Sequence, residues 1–276
     1  NSYMPVTGGG SYLHVDDIDL FVINDAPLAE LPVPRIGDRE LDIGKHASSL
    51  VHDRDCLQIG IGAIPDAVLG QLAGKRDLGI HTELLTDSIM PLVDAGVVTC
   101  SEKNFMPGKI ISNMAMGSAR LYSWLNRHPM VEFHPVDFTN DPFVIARNDN
   151  MVTINSAIAV DLLGQVASDM IGAKQYSGVG GQVDFVRGAA HSKGGRNLIT
   201  LPATAAKGAV SRIVCNLEQG QAVTTNRHDV DYIITEYGSV QLKGCTVRQR
   251  SDALISIAAP QFRDQLRKQC RELYGW

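Results

Sequence analysis

Apolar runs of strand length alternate along the chain with longer stretches of helical periodicity, the pattern of an α/β protein with a largely parallel sheet. Ile18–Ile23 reads as the first strand. Beyond a proline-rich connector, Pro27–Pro34, the segment Asp38–Val51 carries Leu41, Ile43, Ala47, Leu50 and Val51 at close to a 3.6-residue spacing, which predicts an amphipathic helix. Cys56–Ile61 follows as a buried strand. A glycine turn leads into helical Ile64–Ala73, with Pro65 in the first turn, where a missing N–H costs little. Gly79–His81 is a further short strand end, and strands are also predicted at Val97–Thr99, Lys109–Asn113, Val131–His134, Met151–Ile154, Leu198–Leu201, Arg212–Cys215 and Tyr232–Thr235. Ser118–Asn126, Val247–Ile257 and Gln261–Tyr274 read as helices, the last two divided by Pro260. The expected fold is an open, largely parallel sheet with helices on both faces. The connector around Ala26–Pro34 is the best boundary, and the piece before it is too short to fold alone.

Composition narrows the function classes. The 276 residues are 44% hydrophobic and 20% charged, which is ordinary globular composition. Lys and Arg number 25 against 30 Asp and Glu, a formal net charge of -5, so no cationic surplus is available for nucleic acid or an anionic bilayer. Apolar stretches such as Ala253–Ala259 fall far short of the ~20 residues that a helical membrane crossing needs. Five cysteines, Cys56, Cys100, Cys215, Cys245 and Cys270, form no CxxC pair and read as reduced thiols. With a polar, glycine-rich N-terminal stretch, this makes the cytoplasm, or another reducing compartment, the expected location. No metal-ligand spacing is present, and no metal or nucleotide cofactor is expected.

Two glycine loops and one carboxylate stand out. Gly60-Ile61-Gly62-Ala63-Ile64-Pro65 follows a strand and opens a helix, where bare backbone N–H groups meet an anionic oxygen; the same turn also serves as a plain strand-to-helix connection. It is not a dinucleotide fingerprint, because Pro65 stands where the third glycine belongs. Gly178-Val179-Gly180-Gly181-Gln182 leads into another helix start, either to let a ligand touch the main chain or to pack tightly against a neighbouring strand, and no Walker A loop occurs. Glu83, in His81-Thr82-Glu83, is delivered to the C-terminal edge of a parallel strand, where ligands of such sheets bind. Its alternative reading is a helix N-terminal carboxylate held by the dipole. His81, His134 and His191 read as structural or surface histidines.

These strings, together with Gly188 after Val183–Arg187, Leu201-Pro202-Ala203-Thr204 with Lys207, and Thr235-Glu236-Tyr237-Gly238, resemble the acetyl-CoA hydrolase/transferase family across essentially the whole chain. The resemblance is strongest to its 4-hydroxybutyrate and butyrate:acetate CoA-transferases. It implies a CoA-transferase-like α/β fold in which residues 1–33 are the tail and linker of a preceding domain and residues 34–276 the catalytic domain. It further implies transfer of CoA between an acyl-CoA and a small carboxylic acid through a glutamyl-CoA thioester on Glu83. Backbone amides at Ile61 and Gly181 would hold the oxyanions, and Asn140 would lie beside the acyl group. CoA contacts are implied at Gly60, Ile61, Gly62, Ala63, Ile64, Ile158, Gly178, Gly180, Gly181 and Lys207, with Lys243 a further phosphate contact. Coenzyme A or acyl-CoA is thus a substrate, small carboxylates are the other partners, and a homo-oligomer, dimer or larger, is expected. Asn113–Gly117 and Gln241–Cys245 depart from the family pattern at positions that shape the acid pocket. An acyl-CoA hydrolase using the same site, or a non-catalytic CoA-binding domain, are the alternatives.

Overall fold

Strand alternation builds the centre of the molecule. The computed structural model describes Asn1–Trp276. Six strands lie in the spatial order Gly238–Gln241, Tyr232–Thr235, Arg196–Thr200, Met151–Ser156, Cys56–Ile59, Gly79–Ile80, all parallel except the first, which pairs antiparallel with its hairpin partner. Leu57, Ile59, Val152, Ile154, Leu198 and Ile234 point to one face and pack with Ile43, Ala47 and Val68 of the helices Asp38–Ser48 and Ala63–Gly70. On the other face, Cys56 and Met151 meet Phe185 and Ala189 of the helix Gln182–His191, while Ile199 and Ile233 meet Leu254 and Leu266 of the two C-terminal helices. Both faces of the sheet are therefore covered, as parallel sheets require.

A second, three-stranded parallel sheet joins Gly8–Gly9, Val131–Phe133 and Ile110–Ser112. It is stitched to the edge of the larger sheet just beyond Ile80, where His81 bridges Ile111. Buried Lys103 completes the seam, its Nζ donating to Ile80 O at 3.0 Å and Lys109 O at 2.7 Å.

Two expected strands are not strands. Ile18–Ile23 has no ladder partner and runs as exposed irregular chain, Ile23 being 91% exposed, because apolar character cannot make a strand without a neighbouring edge. Val97–Thr99 reduces to one isolated bridge, Val98 with Leu78. The strand expected at Arg212–Cys215 forms as Ile213–Val214, but its ribbon partners Ala159–Asp161 and Val166–Ala167 went unforeseen. The C-terminal helices match their expected bounds, with Thr246 and Gln249 forming a capping box and Pro260 opening the last helix rather than merely closing the one before.

Candidate active site

The strand Gly79–Ile80 ends at the sheet edge, and the chain passes from one sheet to the other within three residues. His81 N donates to Leu57 O, and Thr82 N donates to Ile111 O, each at 3.0 Å. Glu83 O then accepts from Asn113 N, Met114 N and Ser112 Oγ, all at 3.0 Å. Three donors on one carbonyl leave the Glu83 backbone little freedom, so its side chain projects from a fixed base.

That side chain is met by Asn140, whose Nδ2 donates to Glu83 Oε2 at 3.1 Å. Asn140 caps the short helix Val136–Thr139, and its Oδ1 is buried without a partner, an acceptor left for something beyond the protein. His81 ties the two together. Its Nε2 lies 2.9 Å from Thr139 O and its Nδ1 3.3 Å from Asn148 Nδ2, which fixes the tautomer with the proton on Nε2. Burial pushes its pKa down to about 4, so the ring is a neutral strut.

The glycine loops close over this pair. Gly181 approaches so near that a Cβ there would overlap both Glu83 Oε2 and Asn140 Nδ2, and its N–H has no acceptor within the protein. Gly180 takes φ +60°. Opposite, Gly60 N is spent on Ile154 O, but the Ile61 N–H is unpaired, and Gly62 has φ +116° and ψ -178°, a conformation open essentially to glycine alone. Each loop opens a helix, Ala63–Gly70 or Gln182–His191, so the positive ends of two dipoles lie at the loops that wall the Glu83 cavity.

Glu83, Gly60, Ile61, Gly178, Gly180 and Gly181 share the wall of one cavity of about 320 Å³. Leu84, Met114 and Met116 form its apolar side. Gln58 and Asn155, a buried reciprocal amide pair at 3.2 and 3.0 Å, line it as well. Asp184 lies near enough that, after burial, the charge of Glu83 helps push its carboxyl up. Gln58, Asn155 and Asp184 carried no local signal, since only the folded chain brings them to Glu83.

Other expected contacts lie off this wall. Gly62 lines the adjoining cavity instead, while Ala63 and Ile64 sit in the first helical turn. Ile158 spends its N–H on Ala167 O at 2.8 Å, and Lys207 is exposed with φ +57°. Five cysteines are free thiols. No helix is long and apolar enough to cross a membrane.

Residues 117–270 match the acetyl-CoA hydrolase/transferase C-terminal domain. Over 274 residues, 99% of this chain and 64% of the relative, the sequence is 53% identical to the 4-hydroxybutyrate coenzyme A transferase of Clostridium kluyveri. The crystal structure of RipA from Yersinia pestis superposes with a TM-score of 0.93 at 43% identity, covering 99% of this chain and 62% of that one. That of the 4-hydroxybutyrate CoA-transferase from Porphyromonas gingivalis does so with a TM-score of 0.87 at 43% identity, covering 98% and 64%. The chain belongs to the acetyl-CoA hydrolase/transferase family, and it spans less than two thirds of the length of these relatives.

Proposed function

We propose that this chain carries the catalytic centre of a CoA-transferase acting between an acyl-CoA and a small carboxylic acid of the acetate, butyrate or 4-hydroxybutyrate class, with Glu83 as covalent carrier. A Glu83 oxygen attacks the thioester carbonyl, the C–S bond of the tetrahedral adduct breaks, and CoA leaves as thiolate, with the acyl group left on Glu83 as a mixed anhydride. The thiolate then attacks the glutamyl carbonyl and expels the acyl carboxylate, leaving CoA on Glu83 as a thioester. An incoming acid runs the same steps in reverse and departs as its CoA ester.

The observation that carries this reading is the convergence of an Asn140-held carboxylate with two glycine-rich loops whose Ile61 and Gly181 N–H groups are unpaired. A carboxylate needs no base but is a weak nucleophile, so it gains most from fixed orientation. Each addition step builds an oxyanion, and one preorganised amide donor is worth about 3 kcal/mol to such a charge. The helix N-termini behind both loops favour the same negative charge. The names of the related enzymes support the acid class.

Acceptor-dependent exchange tests this reading: acetyl-CoA is supplied with butyrate or 4-hydroxybutyrate, and the new CoA ester is followed. Formation of the acceptor's CoA ester at the expense of acetyl-CoA is expected. Release of free CoA at the same rate with and without acceptor would instead make the protein a hydrolase, a reading favoured by the openness of the cavity at Ile61, which is 53% exposed.

The same reading assigns residues 1–33 to the preceding domain and residues 34–276 to the catalytic one. The exposed apolar run Leu20–Ile23, which finds no strand to pair with here, supports that division.

A further inference from the structure

Met114 stands between two cavities. It lines the 320 Å³ space that holds Glu83, and it also lines a second cavity of about 440 Å³ walled by Leu28, Ala29, Tyr122, Leu125 and Phe133. The second space is mostly apolar in its lining, holds no acidic or basic side chain, and has no part in the chemistry around Glu83. The two are neighbours through the strand Met114–Ala115, which pairs parallel with Leu84–Leu85 immediately after the nucleophile. Because Met114 N donates to Glu83 O, the methionine is held in fixed register with the carboxylate.

We propose that Met114 sets the acyl-chain length of the reaction, acting as a movable stop between the Glu83 cavity and an apolar extension that takes the alkyl tail of a medium-chain acyl group once the stop is removed. The inference rests on the CoA-transferase reading of Glu83. Chemistry favours an alkyl ligand over a polar one: Ala29, Leu125 and Phe133 offer no charge, and the Tyr122 hydroxyl is already committed to Ala29 O at 2.8 Å. Methionine suits a stop because its unbranched thioether side chain changes rotamer at little cost. It is also only partly buried, at 41% exposure, so its removal empties space without opening the packed core. Met116, two residues on, also lines the Glu83 cavity, but the further space it borders holds Asp66 and Asp87, where an alkyl tail would have to lie against carboxylates.

Each methylene transferred from water to an apolar wall is worth about fourfold in affinity. Truncating the stop should therefore favour an eight-carbon over a four-carbon acyl group. The experiment compares kcat/KM for butyryl-CoA and octanoyl-CoA in wild type, Met114→Ala, Met114→Trp and the double variant Met114→Ala/Ala29→Trp, which refills the extension. In parallel, thermal shifts of all four proteins are recorded with butyrate and with octanoate. The expected result is a rise of at least about tenfold in the octanoyl-to-butyryl ratio for M114A, a return toward wild type in the double variant, and a fall for M114W, with octanoate selectively stabilising M114A. An unchanged ratio, a gain that survives Ala29→Trp, or no octanoate preference overturns the inference. If wild type transfers no acyl group at all, the functional reading fails, and the octanoate thermal shift then decides the fate of the second cavity alone.

Discussion

The Nδ2 of Asn140 donates to Glu83 Oε2 across 3.1 Å, joining residues 57 positions apart in the chain. One comes from the end of a parallel strand and the other from the cap of a short helix, and buried His81 bonds to the residue next to Asn140. The site is thus assembled from the seam between two sheets, with its flexibility removed by main-chain and imidazole hydrogen bonds before any substrate arrives.

Replacing the carboxylate should abolish turnover while sparing the fold. Glu83→Gln retains the shape and the contact with Asn140 but cannot form an anhydride, so kcat should fall at least about a thousandfold with little change in melting temperature. Glu83→Asp withdraws the oxygen from its loops and should be nearly as damaging. Steady-state kinetics and thermal melts on both variants check this.

Gly181→Ala is expected to lose about a hundredfold in kcat, because its methyl would occupy space held by Glu83 Oε2 and Asn140 Nδ2 and displace the carboxylate. Gly178, around which a Cβ meets nothing, provides the contrast: Gly178→Ala should retain activity within a few fold. Equal losses for the two would mean that the loops matter only as hinges.

Much of this site could be read from the linear chain, and the reasons are local. A glycine turn between strand and helix announces bare amides, so both loops stand out from Gly60–Ile64 and Gly178–Gly181 alone, and Glu83 follows from its place past a strand. Asn140 has no such signature and came from the family likeness of Thr139–Pro142. Met114 lies in the segment Asn113–Gly117 that the family likeness already set at the acid pocket, whereas Gln58 and Asn155, 97 residues apart, reach the cavity only through tertiary folding. The failure at Ile18–Ile23 has the same root, since strand propensity is local while a strand's partner is not.

Asn140 should act on rate more than on binding. Asn140→Ala removes the orienting donor and is expected to lower kcat about tenfold to a hundredfold. Asn140→Asp sets a like charge beside Glu83, so the acidic limb of the pH–rate profile should move to higher pH. A pH–rate profile identical to wild type for N140D would show that the two side chains are uncoupled.

His81 makes stability depend on pH in a defined window. Its folded pKa of about 4 lies below the ordinary 6.5, so the unfolded chain binds the extra proton first. The stability gained by keeping the ring neutral is present above about pH 6.5 and is lost as pH falls toward 4, roughly 3 kcal/mol in all. Buried carboxyls such as Asp66 and Asp161, pushed up by burial, contribute with the opposite sign, so the test is a difference. Denaturant unfolding at pH 7 and pH 4.5 should show wild type losing more stability than His81→Gln. Equal losses would mean that the ring is not held neutral.

Hydride capture of the enzyme-bound acyl carrier is the decisive measurement. The full-length protein is incubated with acyl-CoA, reduced with borohydride, digested and analysed by peptide mass. Conversion of Glu83 to the corresponding alcohol, dependent on acyl-CoA and absent from Glu83→Gln, is the expected result. An unmodified Glu83 in enzyme that is turning over under the same conditions would rule out a glutamyl thioester and, with it, the role assigned to the Asn140–Gly181 cradle.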